Sequence, residues 1–220
     1  MTTLAKFDVT GLGSIAIDYI GTLEAWPEPG TKNGMQHFDI YDGGLTGTAL
    51  TAVSRLGGKA SYIGKFGISE MAGRAIFSLK KEGVDLSNLV RDSISEPIIS
   101  MILSSKREGH RNIFFKKENL GFPLPEEIPD PMWYKRTKVF FTDHVAGIAG
   151  IRGADIAKRN NIPVVVDIER MQDGIEELMV LTDHLIVSES FARKYSDSNA
   201  HNDQLKALRK DKKQTIIITL

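Results

Sequence analysis

From residue 137 onward the chain alternates short apolar runs with helical stretches, and this rhythm restricts the fold more than any other feature. Val139–Phe141, Val164–Val166, Leu185–Val187 and Thr215–Ile218 read as strands, with helical spacing over 154–161, 173–181 and 202–210 between them. Short uninterrupted apolar strands separated by helices predict an α/β fold with a parallel, Rossmann-like sheet covered on both faces. Its crossovers are expected to be right-handed. Ligands of such sheets bind beyond the C-terminal strand ends. That rule picks out Asp143, the pair Asp167 and Glu169, and the pair Ser188 and Glu189. Helix N-caps use the same residue types at the same places, so each of these residues also has a purely structural reading.

The stretch Asp42–Gly73 is the second anchor. Gly43 and Gly44 open a helical pattern carrying Leu45, Ala49, Ala52, Val53 and Leu56, and Gly57-Gly58 supplies its stop. A glycine pair at a helix start lets backbone N–H groups approach a ligand near the positive end of the helix dipole. An anion or a polyhydroxy compound suits such a site; the alternative is a tight loop and nothing more. A short strand, Ala60–Ile63, and a helix over 72–83 follow, and Val84-Asp85 reads as a turn.

Upstream, Phe7–Gly21 is a β-rich run broken by Gly11 and Gly13. Within it Asp18 is an acidic residue in an otherwise apolar alternating strand. A carboxylate buried there needs partners or a ligand. Met35–Tyr41 and the hairpin Ile98–Leu103 with Ile113–Phe115 fall outside the strand–helix alternation. They read as a small accessory sheet that covers a site, or as an edge extension of the main one.

Lys and Arg (28) cancel Asp and Glu (28), so no global field attracts nucleic acid or a membrane surface. There is no cysteine, which removes disulfides, thiolate metal sites and cysteine nucleophiles. No apolar run approaches a membrane span, so a cytoplasmic protein is expected. Gly11-Leu12-Gly13-Ser14-Ile15-Ala16 formally fits a dinucleotide fingerprint, which would make the chain a nicotinamide-dependent oxidoreductase. A working fingerprint opens a helix, whereas this one runs into a strand. No GxxxxGK[ST] or HExxH spacing occurs.

The central stretch, GGLTGTALTAVSRLGGKASYIGKFGISEMAG, resembles the N-terminal signature of the ribokinase/PfkB carbohydrate kinases. GLGSIAIDYIG, WPEPGT, IISMILSSKREGHRNIFF and IPVVVDIER resemble other segments of that family, in the same order. The resemblance implies one ribokinase-like domain over 1–220, with a β lid from segments near 31–42 and 97–117 that often forms a dimer contact. It implies transfer of the ATP γ-phosphoryl group to a sugar hydroxyl with Mg²⁺. Carried over by position, Asp18 holds sugar hydroxyls, Gly43 and Gly44 present backbone N–H groups, and Asp143 faces the substrate. Vicinal hydroxyls on one carboxylate make charge-assisted, orientation-specific bonds.

Three departures matter. Thr48 stands where the family has a sugar-contacting asparagine. Ser188-Glu189-Ser190-Phe191 stands where it has Asn-x-x-Glu. The catalytic base, anion hole and ATP pocket are expected beyond Leu220, so this stretch alone is expected to be inactive. A non-catalytic sugar- or nucleoside-binding protein of the same fold is the alternative expectation.

Overall fold

The computed structural model describes residues 5–220. In chain order its elements are β1 (Phe7–Leu12), β2 (Ala16–Leu23), β3 (His37–Gly43), α1 (Leu45–Arg55), β4 (Ala60–Phe66), α2 (Glu70–Lys81), β5 (Asp85–Arg91), β6 (Ile98–Ser105) and β7 (Arg111–Lys116). Then come α3 (Pro131–Tyr134), β8 (Thr137–Asp143), α4 (Gly147–Arg159), β9 (Val164–Ile168), α5 (Ile175–Leu181), β10 (His184–Ser188), α6 (Glu189–Ser196), α7 (His201–Leu208) and β11 (Thr215–Thr219). Among the described residues no helix is long and apolar enough to cross a membrane.

The main sheet is seven-stranded, in the order β11-β10-β9-β8-β1-β4-β5, with every pair parallel. Adjacent residues of a strand point to opposite faces. In β4, Tyr62 belongs to one buried cluster with Leu50, Ala72, Ile76 and Leu79 of α1 and α2. Its neighbour Ile63 belongs to the other, with Phe140, Ala154, Val164, Leu178 and Leu185. Both faces are therefore covered, as the apolar strands require. Helix α2 shows the local logic. Ala72, Ala75, Ile76 and Leu79 recur at helical spacing and are buried, and the Ser69 hydroxyl caps the start by accepting from Ala72 N–H at 3.0 Å.

A second sheet has the order β3-β2-β6-β7. The run from Phe7 to Gly21 thus serves both sheets: β1 ends at Leu12, the chain bends through Gly13, and β2 becomes an inner strand of the small sheet. Gly11 and Gly13 belong to no dinucleotide turn. A Cβ on Gly11 would lie 2.8 Å from Thr46 Cγ2, so this glycine lets α1 lie close on β1.

Other expectations needed correction. Val84-Asp85 was expected to be a turn, yet Asp85–Arg91 is the edge strand of the main sheet; its sequence, DLSNLVR, carries no apolar run to announce it. The helix expected from residue 154 begins at Gly147. GIAGIRG masks that start, because Gly150 and Gly153 are where α4 packs tightly on β8. A Cβ on Gly153 would lie 2.5 Å from Phe140 Cζ.

Candidate functional site

Asp143, the last residue of β8, is 0% exposed and organises the region without facing it. Its Oδ2 accepts from Ser14 N (2.7 Å), Ser14 Oγ (2.8 Å), Thr46 Oγ1 (2.7 Å) and Thr46 N (3.2 Å). Its Oδ1 accepts from Val145 N at 3.0 Å. Ser14 Oγ in turn accepts from Leu45 N at 3.1 Å, which commits its proton to Asp143. One carboxylate thereby ties together the end of β8, the β1–β2 bend and the first turn of α1. Gly13 makes the clamp possible, since a Cβ there would lie 2.0 Å from Thr46 Oγ1 and 2.4 Å from Asp143 Oδ2. Tyr62, fully buried beside it, donates to Gly13 O at 3.0 Å; burial, helped by the Asp143 charge, raises its pKa and keeps the phenol protonated. Asp143 was expected to face a substrate; here its Oδ2 is taken by four protein donors and its Oδ1 by one, and it does not line the cavity beside it.

That cavity, about 860 Å³, lies between the small sheet and the C-terminal ends of β8, β9 and β10. Asp18, Gly43, Gly44 and Thr48 all line it. Burial raises the Asp18 carboxyl above its ordinary pKa and the Asp42 charge adds to this, while the Ser100 hydroxyl offsets part. Gly43 lies opposite Ala16 in the ladder, and a Cβ on it would meet Asp18 Oδ2 at 2.1 Å. Its missing side chain is thus the space that the aspartate occupies. Gly44 has φ 87°, and a Cβ there would lie 2.6 Å from Ser14 O. Only glycine takes this conformation against that backbone without strain.

The amides of the α1 first turn are less available than a glycine pair suggests. Leu45 N donates to Ser14 Oγ, Thr46 N to Asp143, and Gly47 N to Ser14 O at 3.1 Å. The ligand-facing backbone is therefore the Gly43–Gly44 segment rather than the helix end as a whole.

The opposite wall comes from the strand ends. Asp167 and Glu169, singled out by the strand-end rule, line the cavity. Burial, followed by the charges of Glu169 and Asp143, pushes the Asp167 carboxyl up to about 6. His144 is nearly buried, and its burial lowers its pKa. Its Nδ1 accepts from Glu169 N at 3.4 Å, which assigns the ring proton to Nε2. Ser188 and Glu189 have the structural role instead. Ser188 Oγ caps α6 by accepting from Phe191 N at 3.2 Å, Glu189 pairs with Arg193 at 3.1 Å, and neither lines the cavity. Sequence reasoning missed Ser14 and Thr46, whose roles appear only when three distant segments meet. It also missed Arg170, one residue past Glu169, whose guanidinium lies over the Phe115 ring of β7 at 4.9 Å.

Residues 6–220 match the description "pfkB family carbohydrate kinase". A protein of Arabidopsis thaliana described as "Probable fructokinase-5" is 24% identical over 195 residues, covering 80% of this chain and 60% of that protein. A 5-dehydro-2-deoxygluconokinase of Clostridium perfringens is 25% identical over 173 residues, covering 74% of this chain and 49% of that one. The chain thus spans between about half and 60% of the length of these relatives. In the structure of Arabidopsis thaliana ribokinase complexed with ribose and ATP, 70% of the solved chain is covered by 97% of this one. The TM-score is 0.74 at 16% identity. The parallel sheet, the second sheet across the cavity mouth and the match over almost the whole chain agree: the protein belongs to the pfkB family of carbohydrate kinases.

Proposed function

We propose that the cavity binds the sugar acceptor of an ATP-dependent sugar kinase, with Asp18 as its principal anchor. The observation that carries this is a carboxylate held partly out of water at the cavity wall, beside a glycine whose absent side chain gives it room. A desolvated carboxylate gains most from donors that replace its lost water, and vicinal sugar hydroxyls supply two in fixed orientation. Gly43 and Gly44 add backbone polar groups at close range, and Thr48 adds a hydroxyl from α1. Held at these points, one acceptor hydroxyl is oriented for attack, and orientation is the larger part of catalysis in phosphoryl transfer. ATP as donor follows from the family. Asp167 and Glu169 put negative charge on the same cavity wall, though no cluster of three or more metal-ligating side chains occurs among the described residues.

In this reading the small sheet is the lid that keeps water from the acceptor, and it includes β2 besides the segments near 31–42 and 97–117. Its face away from the cavity carries Phe38, Ile40, Met101 and Phe114, all exposed, which supports a homodimer through the lid. A cytoplasmic location places the protein where sugars and ATP meet.

One observation favours a second reading, a sugar-binding protein of this fold without kinase activity. Ser188 and Phe191, at the family's Asn-x-x-Glu positions, are taken up by helix capping and by the core, with Phe191 1% exposed. Sugar-dependent ADP formation by the native protein decides between them. Turnover with at least one sugar supports the kinase. Sugar binding without turnover supports the second reading, and neither binding nor turnover refutes both.

A further inference from the structure

Asp18 is not the only carboxylate on its part of the small sheet. Asp42 comes just before the glycine pair on β3, the strand that pairs with β2. The ladder sets Asp18 opposite Tyr41 and Asp42 opposite Ile17, so the two aspartates occupy neighbouring rows. Both line the cavity, yet the Asp42 carboxylate is engaged by the main layer: Arg74 of α2 meets it, with Nε 3.3 Å from Oδ1. The pairing matters for Asp18. Burial raises the Asp18 carboxyl above its ordinary pKa, the Ser100 hydroxyl opposes that, and the Asp42 charge raises it further.

Helix α2 places Arg74 for this contact. Three residues earlier, the Met71 sulfur accepts from the Tyr19 hydroxyl at 3.7 Å, so this helical face runs along the small sheet. Arg74 Nη2 donates to Ile40 O at 3.1 Å, two residues before Asp42 on the same strand. One guanidinium thus grips β3 at two points. Its Nε is closed to solvent and has no hydrogen bond, so Asp42 serves it as a counter-charge, screened less than a surface pair would be. No other cation pairs with Asp42 among the described residues. The remaining charged groups around Asp18 are Lys117 beside β7 and, across the cavity, His144, Asp167, Glu169 and Arg170.

Resting on the reading of Asp18 as the sugar anchor, we infer that Arg74 is a positioning residue of the acceptor site: gripping β3 through Ile40 O, it draws the Asp42 carboxylate toward α2 and offsets its charge, so that Asp18 meets the sugar as a carboxylate. A charge-assisted hydrogen bond to an ionised carboxylate is about twice as strong as a neutral one. Released from Arg74, Asp42 is a free negative charge one row from Asp18, and a like charge at such range favours the protonated form. Arg74 does not line the cavity and acts only through Asp42. A cation on a helix of the main layer is thereby part of the acceptor site's response to pH.

The test follows the Asp18 carboxyl itself, by ¹³C NMR titration of the whole aspartate-labelled chain without ligand, because Asp167 also titrates, at about 6, and would confuse a binding curve taken alone. Asp18→Asn identifies the signal. Arg74→Gln should move the Asp18 midpoint to higher pH, Asp42→Asn should move it to lower pH, and Arg74→Lys should keep it near the parent's. Added to Asp42→Asn, Arg74→Gln should move it far less than it does alone. Calorimetry supplies the second arm. Whichever of ribose, fructose and gluconate binds the parent should bind Arg74→Gln about threefold more weakly on the acid side of the Asp18 midpoint, the size of one partly exposed charge contact, and equally well at about pH 8. Unchanged urea midpoints check that the variants are folded. An Asp18 midpoint that Arg74→Gln leaves in place or lowers overturns the inference, as does one that ignores Asp42→Asn. Sugar binding weakened by the same factor at every pH, or equally in Arg74→Lys, overturns it too, since a contact that only held the fold together would do that. If Asp18 responds as expected and none of the three sugars binds, the coupling stands and the acceptor reading falls.

Discussion

Replacing Asp143 tests the claim that it is a clamp and not a ligand. Asp143→Ala removes the acceptor of five donors, four of them buried, while the Val145 N–H lies at the cavity wall where water can replace the lost bond. The hydroxyls of Ser14 and Thr46 can turn toward other acceptors, but the backbone N–H groups of Ser14 and Thr46 cannot. Two stranded buried donors at about 1–3 kcal/mol each give a loss of about 4 kcal/mol. For a domain of this size each kcal/mol lowers Tm by about 2–4 °C, so the expected fall is about 12 °C. Asp143→Asn should lie between. Its amide oxygen can take the place of Oδ2, but its NH₂ then faces the Val145 N–H, a donor against a donor, for about 1–2 kcal/mol. Ser14→Ala removes one partner of the same network, so its effect and that of Asp143→Ala should sum to more than the double variant loses. Urea and thermal unfolding measure all four proteins. Both Asp143 variants within about 0.5 kcal/mol of the parent, with altered ligand binding instead, would refute the reasoning and return Asp143 to the substrate.

Three further outcomes follow from the same geometry. Gly13→Ala drives a methyl against Thr46 Oγ1 and Asp143 Oδ2 and should destabilise by about 2 kcal/mol or more in urea unfolding. Gly43→Ala displaces only the carboxylate end of Asp18, so it should leave the unfolding midpoint nearly unchanged while weakening sugar binding at least tenfold, read by calorimetry. Asp167 titrates near 6 in the fold and near 3.8 unfolded, so the folded state holds the extra proton between these values. Stability due to this group therefore falls as pH rises from about 4 to 6 and then levels. Two units correspond to about 3 kcal/mol, which screening at the open cavity wall reduces to about 1 kcal/mol. Asp167→Asn should remove that slope in pH-resolved urea melts, and an unchanged slope would deny the shift.

Periodicity carried most of the main sheet into view, because β8 to β10 are apolar runs largely buried on both faces and β11 repeats that composition at the sheet edge. β5 was hidden because an edge strand needs no apolar run, and the start of α4 was hidden because close packing on β8 demands glycines that look like breakers. Of the site, Asp18 and the glycine pair were legible from a charge in an apolar strand and a bare helix start. The role of Asp143 was not legible. A strand-end aspartate reads the same whether its lone pairs are filled by substrate or by Ser14 and Thr46, which lie 129 and 97 residues away in sequence. Arg170 gave no sequence signal either, since its meaning comes from Phe115, a residue of the other sheet.

The most direct test of the acceptor site is a titration of the ¹⁵N-labelled chain with ribose, fructose and gluconate, followed by backbone amide shifts. The account predicts that at least one of them moves the amides of Asp18, Gly43, Gly44 and Thr48 in a saturable way, leaves Ser188 and Glu189 in place, and loses all effect in Asp18→Ala. Shifts that avoid the glycine pair, or that persist unchanged in Asp18→Ala, would contradict it.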